Sequence, residues 1–490
     1  MHRWKRLGIT AASLTLLAGF GIVVARGLGK SAPPEENPRA HLRVRQPHTD
    51  HSALLTGPFL DGPSVTRACL QCHPQSAAEV MATSHWTWLG QEVVVPGHDH
   101  PLRIGKANLI NNFCIGVQPN LSECASCHAG YGWMDRRFDF SRQENVDCLV
   151  CHETTGNYRK DSEHGGTVAA GVDLTAAAKS VGLPTRRNCG FCHFAGGGGD
   201  AVKHGDLDGT MYFPTERIDV HMGRLDFDCQ ECHRTVHHRI PGRAMSVSVD
   251  DNNRVACTDC HSPTPHEDER LNYHVSAVAC QSCHIPRMAV EAATKMAWDW
   301  STAGHDPPPG TDPHLYSKKR GSFVFARNVP PEYYWYNGTA DRYLLGDKMD
   351  PEKVTRINYP RGSAADPRAR IWPFKVHRGK QPYDVVNRYL LVPKTVGPGG
   401  FWEEFNWDKA LRLGSEASGL KYSGQYGFAA TEMYWPLSHM VATKDKALQC
   451  VDCHGERGRF HWTALGYEGD PAWRGSRTPL FASPRKENKP

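Results

Sequence analysis

Residues 124–152 read CASCHAGYGWMDRRFDFSRQENVDCLVCH, and both ends of that stretch carry the same device: two cysteines three positions apart, followed at once by histidine. Outward from it the device recurs at Cys69/Cys72/His73, Cys189/Cys192/His193, Cys229/Cys232/His233, Cys257/Cys260/His261, Cys280/Cys283/His284 and Cys450/Cys453/His454. With Cys124/Cys127/His128 and Cys148/Cys151/His152 that makes eight, using 16 of the 17 cysteines and leaving only Cys114. The spacing has a chemical reason. Two thiols so placed reach the two vinyl groups of one porphyrin and form thioethers, and the next side chain lies under the iron and supplies its proximal nitrogen. Eight covalent haems c are therefore the expected cofactors. A zinc site spaces its histidines differently and closes with four ligands. A thioredoxin-like pair occurs once, and a disulfide framework gives no reason for the histidines.

The N-terminus agrees with that chemistry. Arg3, Lys5 and Arg6 precede a mostly apolar run from Leu7 to Ala25. Residues 1–25 read as a cleaved signal peptide or, being long enough, as a single retained membrane anchor. Either way the haem-bearing part is expected outside the cytoplasm, in the periplasm. Without Arg3, Lys5 and Arg6 the formal charge falls from +5 to +2, and eight haems add about 16 propionates. The basic sequence is thus no nucleic-acid footprint, and no nucleic-acid partner is expected.

Seven of the eight motifs fall within residues 69–284, and only 39% of the chain is hydrophobic. With so little polypeptide per cofactor, the porphyrins themselves must form much of the core. The expected fold is mainly α with extensive loops, a multihaem cytochrome c fold with little or no sheet. Residues 26–60 read as a linker or arm and 61–298 as a seven-haem core. Residues 299–430 read as a haem-free, loop-rich wrapper, or else as part of a channel or an oligomer contact. Residues 431–490 hold the eighth haem and a tail that is disordered from Ser483. Periodicity and proline placement predict helices over Gln75–Trp88, Pro286–Trp298, Phe401–Leu413 and Trp435–Gln449.

Nineteen of the 27 histidines lie outside the motifs, and a low-spin haem needs a second axial ligand. His85, His221, His238 (or its neighbour His237), His266, His274 and His439 stand where they can serve. His98 and His204 compete for a further place. His2, His41, His48, His51 and His461 read as ordinary. If every iron had two histidines the protein would be a wire; an enzyme needs one iron with an exchangeable side. Cys114, the leftover thiol, reads as a small buried hydrophobe or as a group beside the chemistry.

Several blocks carry a resemblance. Gly57–Cys72 reads GPFLDGPSVTRACLQC, Leu109–Gly116 LINNFCIG, Cys127–Trp133 CHAGYGW, Asn188–Leu207 NCGFCHFAGGGGDAVKHGDL and Val278–Pro286 VACQSCHIP. In these the chain resembles the octahaem tetrathionate reductases, relatives of the multihaem nitrite reductases and hydroxylamine oxidoreductases, from about Gly57 to the C-terminus. The resemblance implies a catalytic haem at the second motif, with His128 proximal, Lys203 as distal ligand, and Asp200, Cys114 and one of Asn111/Asn112 nearby. The residue chemistry is compatible. A lysine binds iron only as the neutral amine, so its ordinary pKa must be pushed far down. On a helical turn Asp200 and Lys203 would face one side, and a carboxylate there can relay protons. Gly196–Gly199 lets backbone pass close to a flat cofactor.

The resemblance thus implies reduction of tetrathionate, with nitrite and hydroxylamine as further substrates, fed by a periplasmic or membrane electron donor. Arg103, Lys106, Arg136 and Arg137 are candidate attractors for an anionic substrate. Two other readings stand beside it. One is a non-catalytic conduit with eight saturated irons. The other is a hydroxylamine-oxidising enzyme, although no tyrosine can be assigned to the haem cross-link that such enzymes use.

Overall fold

The computed structural model describes residues 48–473. The N-terminal run 1–25, His2, His41 and the tail from Ser483 lie outside the described residues, which form one compact unit. Most of it is loop, with 23% helix and 18% strand. The motifs sit on helical turns of a few residues, such as Leu149–His152, Cys229–Cys232, Cys280–His284 and Cys450–Cys453. One turn is enough, because residues three apart on a helix share a face and both thiols must meet one porphyrin edge.

The strand content is concentrated where the sequence suggested a loop-rich wrapper. Eight strands form one sheet: β1 (Thr294–Asp299), β2 (Tyr316–Ser317), β3 (Gly321–Ala326), β4 (Glu332–Tyr336), β5 (Thr355–Arg356), β6 (Arg370–Asp384), β7 (Tyr389–Leu390) and β8 (Tyr426–Pro436). The order is β5-β8-β6-β1-β3-β2, with β4 and β7 also pairing β6. Strand β6 is its spine, antiparallel to β8 from Phe374↔Pro436 to Asp384↔Tyr426 and parallel to β1 at Arg378↔Ala297. The boundaries drawn at 298 and 430 both fall inside strands, so the seven-haem core, the wrapper and the C-terminal segment are joined by one sheet.

Two expected helices are strands or loops instead. Pro286–Trp298 leads into β1, whose Thr294–Asp299 pairs β3 and β6. Trp435 and Pro436 end β8, and no α-helix follows before Cys450; Met440 is left-handed, at φ 61°. In both, long-range ladder pairing overrides the local pattern. Gln75–Trp88 is two short helices, Ser76–Met81 and Ser84–Thr87. Phe401–Leu413 breaks at Phe405 (φ 51°), after which Asn406 caps the helix Trp407–Ser418.

The largest apolar cluster joins the sheet to the 110–115 loop. Ile110, Phe113 and Ile115 pack with Val202, Trp298, Trp300, Phe323 and Trp435, all buried. Two loops named in the sequence are thereby held against strands β1 and β8.

Haem-binding histidine pairs and a candidate catalytic centre

Seven of the eight motif histidines face a second imidazole. The ring centroids are 6.3 Å apart for His73/His51, 6.3 Å for His193/His85, 6.4 Å for His152/His238 and 6.0 Å for His261/His221. They are 6.3 Å apart for His233/His439, 6.2 Å for His284/His266 and 6.3 Å for His454/His274. These separations fit a metal held from both sides. A metal–nitrogen bond is about 2.0 Å and a ring nitrogen lies about 1.1 Å from its centroid, which together put the centroids roughly 6.2 Å apart.

Hydrogen bonds orient the rings. Nδ1–H of His152 donates to Gly182 O (2.9 Å), that of His233 to Pro241 O (2.7 Å) and that of His274 to Arg270 O (2.8 Å). Carboxylates take this place at His454 (Asp470, 2.6 Å), His238 (Glu79, 2.7 Å) and His439 (Asp206, 3.2 Å). An engaged Nδ1 leaves Nε2 for iron and raises its basicity.

Two placements differ from expectation. His51, read as ordinary, faces His73. His204, read as a candidate ligand, packs on the Trp435 ring at 5.1 Å and stacks on no motif histidine. His98 bonds Asp347 at 3.3 Å.

His128 is the exception among the eight. It is buried in a nest of aromatic rings, with Trp86, Trp133 and Phe138 at 5.0, 4.8 and 5.6 Å, and among the described residues no second histidine faces it. Its Nε2 lies 2.6 Å from Trp86 O, while Nδ1 has no partner. Binding iron through Nε2 therefore requires the ring to turn from that carbonyl. The backbone beneath it is firmly held: buried Lys160 donates to His128 O (2.5 Å) and Gly130 O (2.8 Å) and pairs with Asp147 at 3.1 Å.

Lys203 lies within electrostatic range of Cys127 of this motif and Cys192 of the fourth. Burial, with Lys106 adding to it, lowers this amine to about 8 against the opposing pull of the Cys127 and Cys192 thiols. Its Nζ is 5.5 Å from the Trp435 ring centroid. The turn beneath it is fastened by a residue that sequence reasoning missed. Fully buried Lys375 on β6 donates to Val202 O (2.9 Å), Lys203 O and His204 O (3.3 Å each) and Thr294 Oγ1 (2.6 Å). Only its position within the apolar run Ile371–Val376 marked it.

The glycine run does what bare backbone allows. A Cβ on Gly197 would lie 2.8 Å from Phe113, and one on Gly198 2.9 Å from Cys114 Sγ. Cys114 and Lys203 thus flank one run. Burial pushes the Cys114 thiol up to about 11, against the pull of Lys295 and Arg320. Asp200 is placed differently from the helical-turn expectation. Ala201 is left-handed (φ 56°), and the Asp200 carboxylate accepts from Gly209 N at 2.7 Å. The two asparagines shape the loop. Asn111 Oδ1 accepts from Phe113 N and Ile115 N, while Asn112 is clasped to buried His377, accepting from its Nδ1–H at 3.0 Å and donating to its carbonyl at 2.7 Å. Of the four cationic candidates, Lys106 lies at this site, 3.8 Å over Trp88. Arg103 bonds Gly90 O, Arg136 bonds Ala417 O and Arg137 pairs with Asp135.

Thiol contacts give the order in which the motifs neighbour one another. Cys69 touches Cys148, Cys127 touches Cys192, Cys189 touches Cys229, and Cys257 touches Cys280. Cys151 lies within electrostatic range of Cys189, Cys232 of Cys260, and Cys283 of Cys450. The series runs first, third, fourth, fifth, sixth, seventh, eighth, and the second motif branches from the fourth.

The solved structure of an octahaem cytochrome c from Shewanella oneidensis is 49% identical, covers 87% of this chain and 98% of its own, and superposes with a TM-score of 0.82. The chain belongs to the octahaem cytochromes c. Residues 295–457 also match the family described as bacterial cytochrome c. An uncharacterized protein of Archaeoglobus fulgidus is 21% identical over 238 residues, covering 39% of this chain and 79% of that protein. This octahaem cytochrome therefore carries covalent haem c on its motifs and has a redox, electron-transfer role. Among the described residues no helix is long and apolar enough to cross a membrane.

Proposed function

We propose that this octahaem cytochrome is a periplasmic reductase whose substrate, tetrathionate first and nitrite or hydroxylamine besides, reacts at the second motif. The observation that carries the reading is the contrast among the eight motif histidines. Seven face an imidazole, whereas among the described residues His128 faces none, and the Lys203 amine lies within electrostatic reach of Cys127 of the same motif. A saturated bis-histidine iron passes electrons; an amine is more easily exchanged for substrate. Haem iron supplies the electrons, two for tetrathionate, whose central S–S bond breaks to give two thiosulfates with no proton required.

The protein's own groups divide the remaining work. Lys203, whose backbone turn Lys375 fastens, would offer its amine as the ligand, burial making the neutral form easier to reach. Lys106 adds positive charge for an anion, and Cys114 offers a sulfur surface beside the glycine run. The aromatic nest around His128 excludes water and so strengthens each charge inside. Electrons reach the site through the fourth motif, whose Cys192 touches Cys127. The donor is a periplasmic or membrane-bound redox protein, and the basic-then-apolar N-terminal run supports export.

Reduced protein offered tetrathionate, nitrite and hydroxylamine in turn should reoxidise, and Lys203→Ala should change those rates. Equal rates in the variant for all three would end the assignment of the site. The rival reading, a conduit, predicts no spectral change when carbon monoxide meets the reduced protein.

A further inference from the structure

A further buried cation stands near this centre. Lys295 on β1 is 3% exposed. Its Nζ lies 3.6 Å from the Trp298 ring centroid, 3.7 Å from that of Phe323 and 5.3 Å from that of Phe325. A buried ammonium is ordinarily matched by a carboxylate, because burying an unpaired charge is expensive. Here no carboxylate is among the groups that act on it, and the sulfur within its electrostatic reach is the Cys114 thiol. The face of Trp298 beneath Lys295 leads to the same place, since a Cβ on Gly198 would meet Cys114 Sγ at 2.9 Å and the Trp298 ring at 3.8 Å. Lys295, Trp298 and Cys114 thus converge on the glycine run beside Lys203.

The rim is basic as well. The turn between β2 and β3 is Lys318-Lys319-Arg320, and Arg320 acts on Cys114 together with Lys295 and Lys106. Arg320 is exposed, and its carbonyl accepts from Trp298 Nε1 at 2.6 Å, which fixes the turn to the cage. Glu123 is the acid that faces this group, and Arg320 and Lys319 both offset it. Three cations therefore act on one sulfur, with Glu123 as the acid that acts on it.

We propose that Lys295, in its cage of Trp298, Phe323 and Phe325, is the anchoring residue for one anionic end of a sulfur oxyanion, with Arg320 guiding the anion in and the sulfur chain lying along Cys114. The assignment rests on the reduction reading and deepens it. A two-ended dianion explains why a second cation stands apart from Lys203: one end is gripped while the reacting sulfurs lie between. Aromatic faces suit such an ion, since they shield an ammonium without neutralising it. Nitrite and hydroxylamine, short and singly charged or neutral, do not need this grip.

The test is equilibrium binding of thiosulfate to the oxidised holoprotein, read by the Soret shift and by titration calorimetry, with steady-state kinetics beside it. Losing a charge-assisted contact to a buried anion corresponds to about 10- to 100-fold weaker binding. Lys295→Gln should show that loss for thiosulfate and a matching rise in KM for tetrathionate, with kcat within about threefold and hydroxylamine turnover little changed. Lys295→Arg should recover most of the affinity. Arg320→Gln, on the exposed turn, should slow thiosulfate association and keep the claim testable should Lys295→Gln fold poorly. Equal thiosulfate affinity in wild type and both glutamine variants would overturn the assignment of Lys295 alone. A wild type that binds thiosulfate nowhere and reduces none of the three substrates would overturn the reduction reading, and this inference with it. Equal impairment by glutamine and arginine at 295, with kcat falling in step, would mark the lysine as merely structural.

Discussion

Replacing His51 by alanine is the sharpest test of how the imidazole pairs are read. The two rings of His51 and His73 stand 6.3 Å apart at 36°, the separation that one iron between them demands. Removing His51 takes away one of two axial nitrogens at one of eight haems. The reduced wild-type protein should take up carbon monoxide at one haem per chain, the one beside Lys203. His51→Ala should take up two, and a high-spin band should appear for one haem in eight. The potential of that haem should also rise, by roughly 0.1 V, because axial ligation sets haem potentials over a range of about 0.8 V. His48 stacks on His51 at 5.2 Å and is near enough to slip into its place. The His48→Ala/His51→Ala double variant closes that escape. Carbon monoxide titration of the reduced proteins, with the oxidised spectra alongside, decides the matter. Unchanged uptake and an all-low-spin spectrum in the double variant would refute the pairing, and with it the inference from ring separation to ligation at the other six sites.

Four further outcomes follow from the same geometry. Lys375→Met strips the donors from the Val202–His204 turn; chemical denaturation should show stability lowered by about 1–3 kcal/mol, and carbon monoxide should bind faster as Lys203 loosens. Asp206→Asn weakens the carboxylate bond to His439 Nδ1, so spectroelectrochemistry should show one haem wave moving to higher potential while seven stay in place. Gly198→Ala forces a side chain into a backbone at φ 104° and against Cys114. It should lower stability by about 1–3 kcal/mol and abolish tetrathionate reduction while leaving reduction of the haems by dithionite intact. Burial lowers the Lys295 amine to about 7, Cys114 opposes that shift and Arg320 adds to it, while Lys375 and His377 on β6, within its electrostatic reach, are themselves pushed down by burial. Its ammonium is therefore present below about pH 7 and lost above it. Thiosulfate affinity should be highest on the acid side and fall by up to about tenfold per pH unit as pH rises past 7, whereas Lys295→Arg should give a nearly flat profile.

What the sequence made legible divides by range. The thioether signal is local, five residues long, and was readable eight times without knowledge of the fold. Six of the seven facing histidines stand close to motifs in sequence and were named there. His51 was passed over because nothing local separates it from the other histidines of a proline- and histidine-rich arm. The sheet was illegible for a different reason. Strands β1 and β8 are defined by register with β6, some 80 and 50 residues away in the chain, and their own residues, with Pro436 read as a helix start, suit helix as well as strand. Lys203 and Cys114 entered through resemblance; Lys375, His377 and Lys295 carry no motif, and only burial of a charged or polar side chain in a strand marks them. Asp200 shows the converse. Its spacing from Lys203 suggested a shared helical face, and one left-handed residue, Ala201, undid it.

The sheet also lies where the chemistry needs it. A haem clamped by two histidines is positioned by its own four covalent and coordinate attachments, so a short helical turn and a loop suffice around it. On the proposed reading, that is how the chain builds seven of its sites. The second motif lacks that clamp. Its amine, its thiol and its surrounding cations must be held by polypeptide alone, and small displacements there alter reactivity. Strand β6 fastens the Lys203 turn through Lys375 and the Asn112 loop through His377, β1 carries Lys295 and Trp298, and β8 carries Trp435. The segment with no haem of its own thus supplies the rigidity that the one unclamped centre lacks. The same strands tie this centre to the fifth motif, because Asp206, within electrostatic reach of Lys375, accepts from both the amide and the ring of His439. A change that shifts the Lys203 turn will therefore be felt at a neighbouring haem of the electron path, and the two should respond together to a single substitution at Lys375.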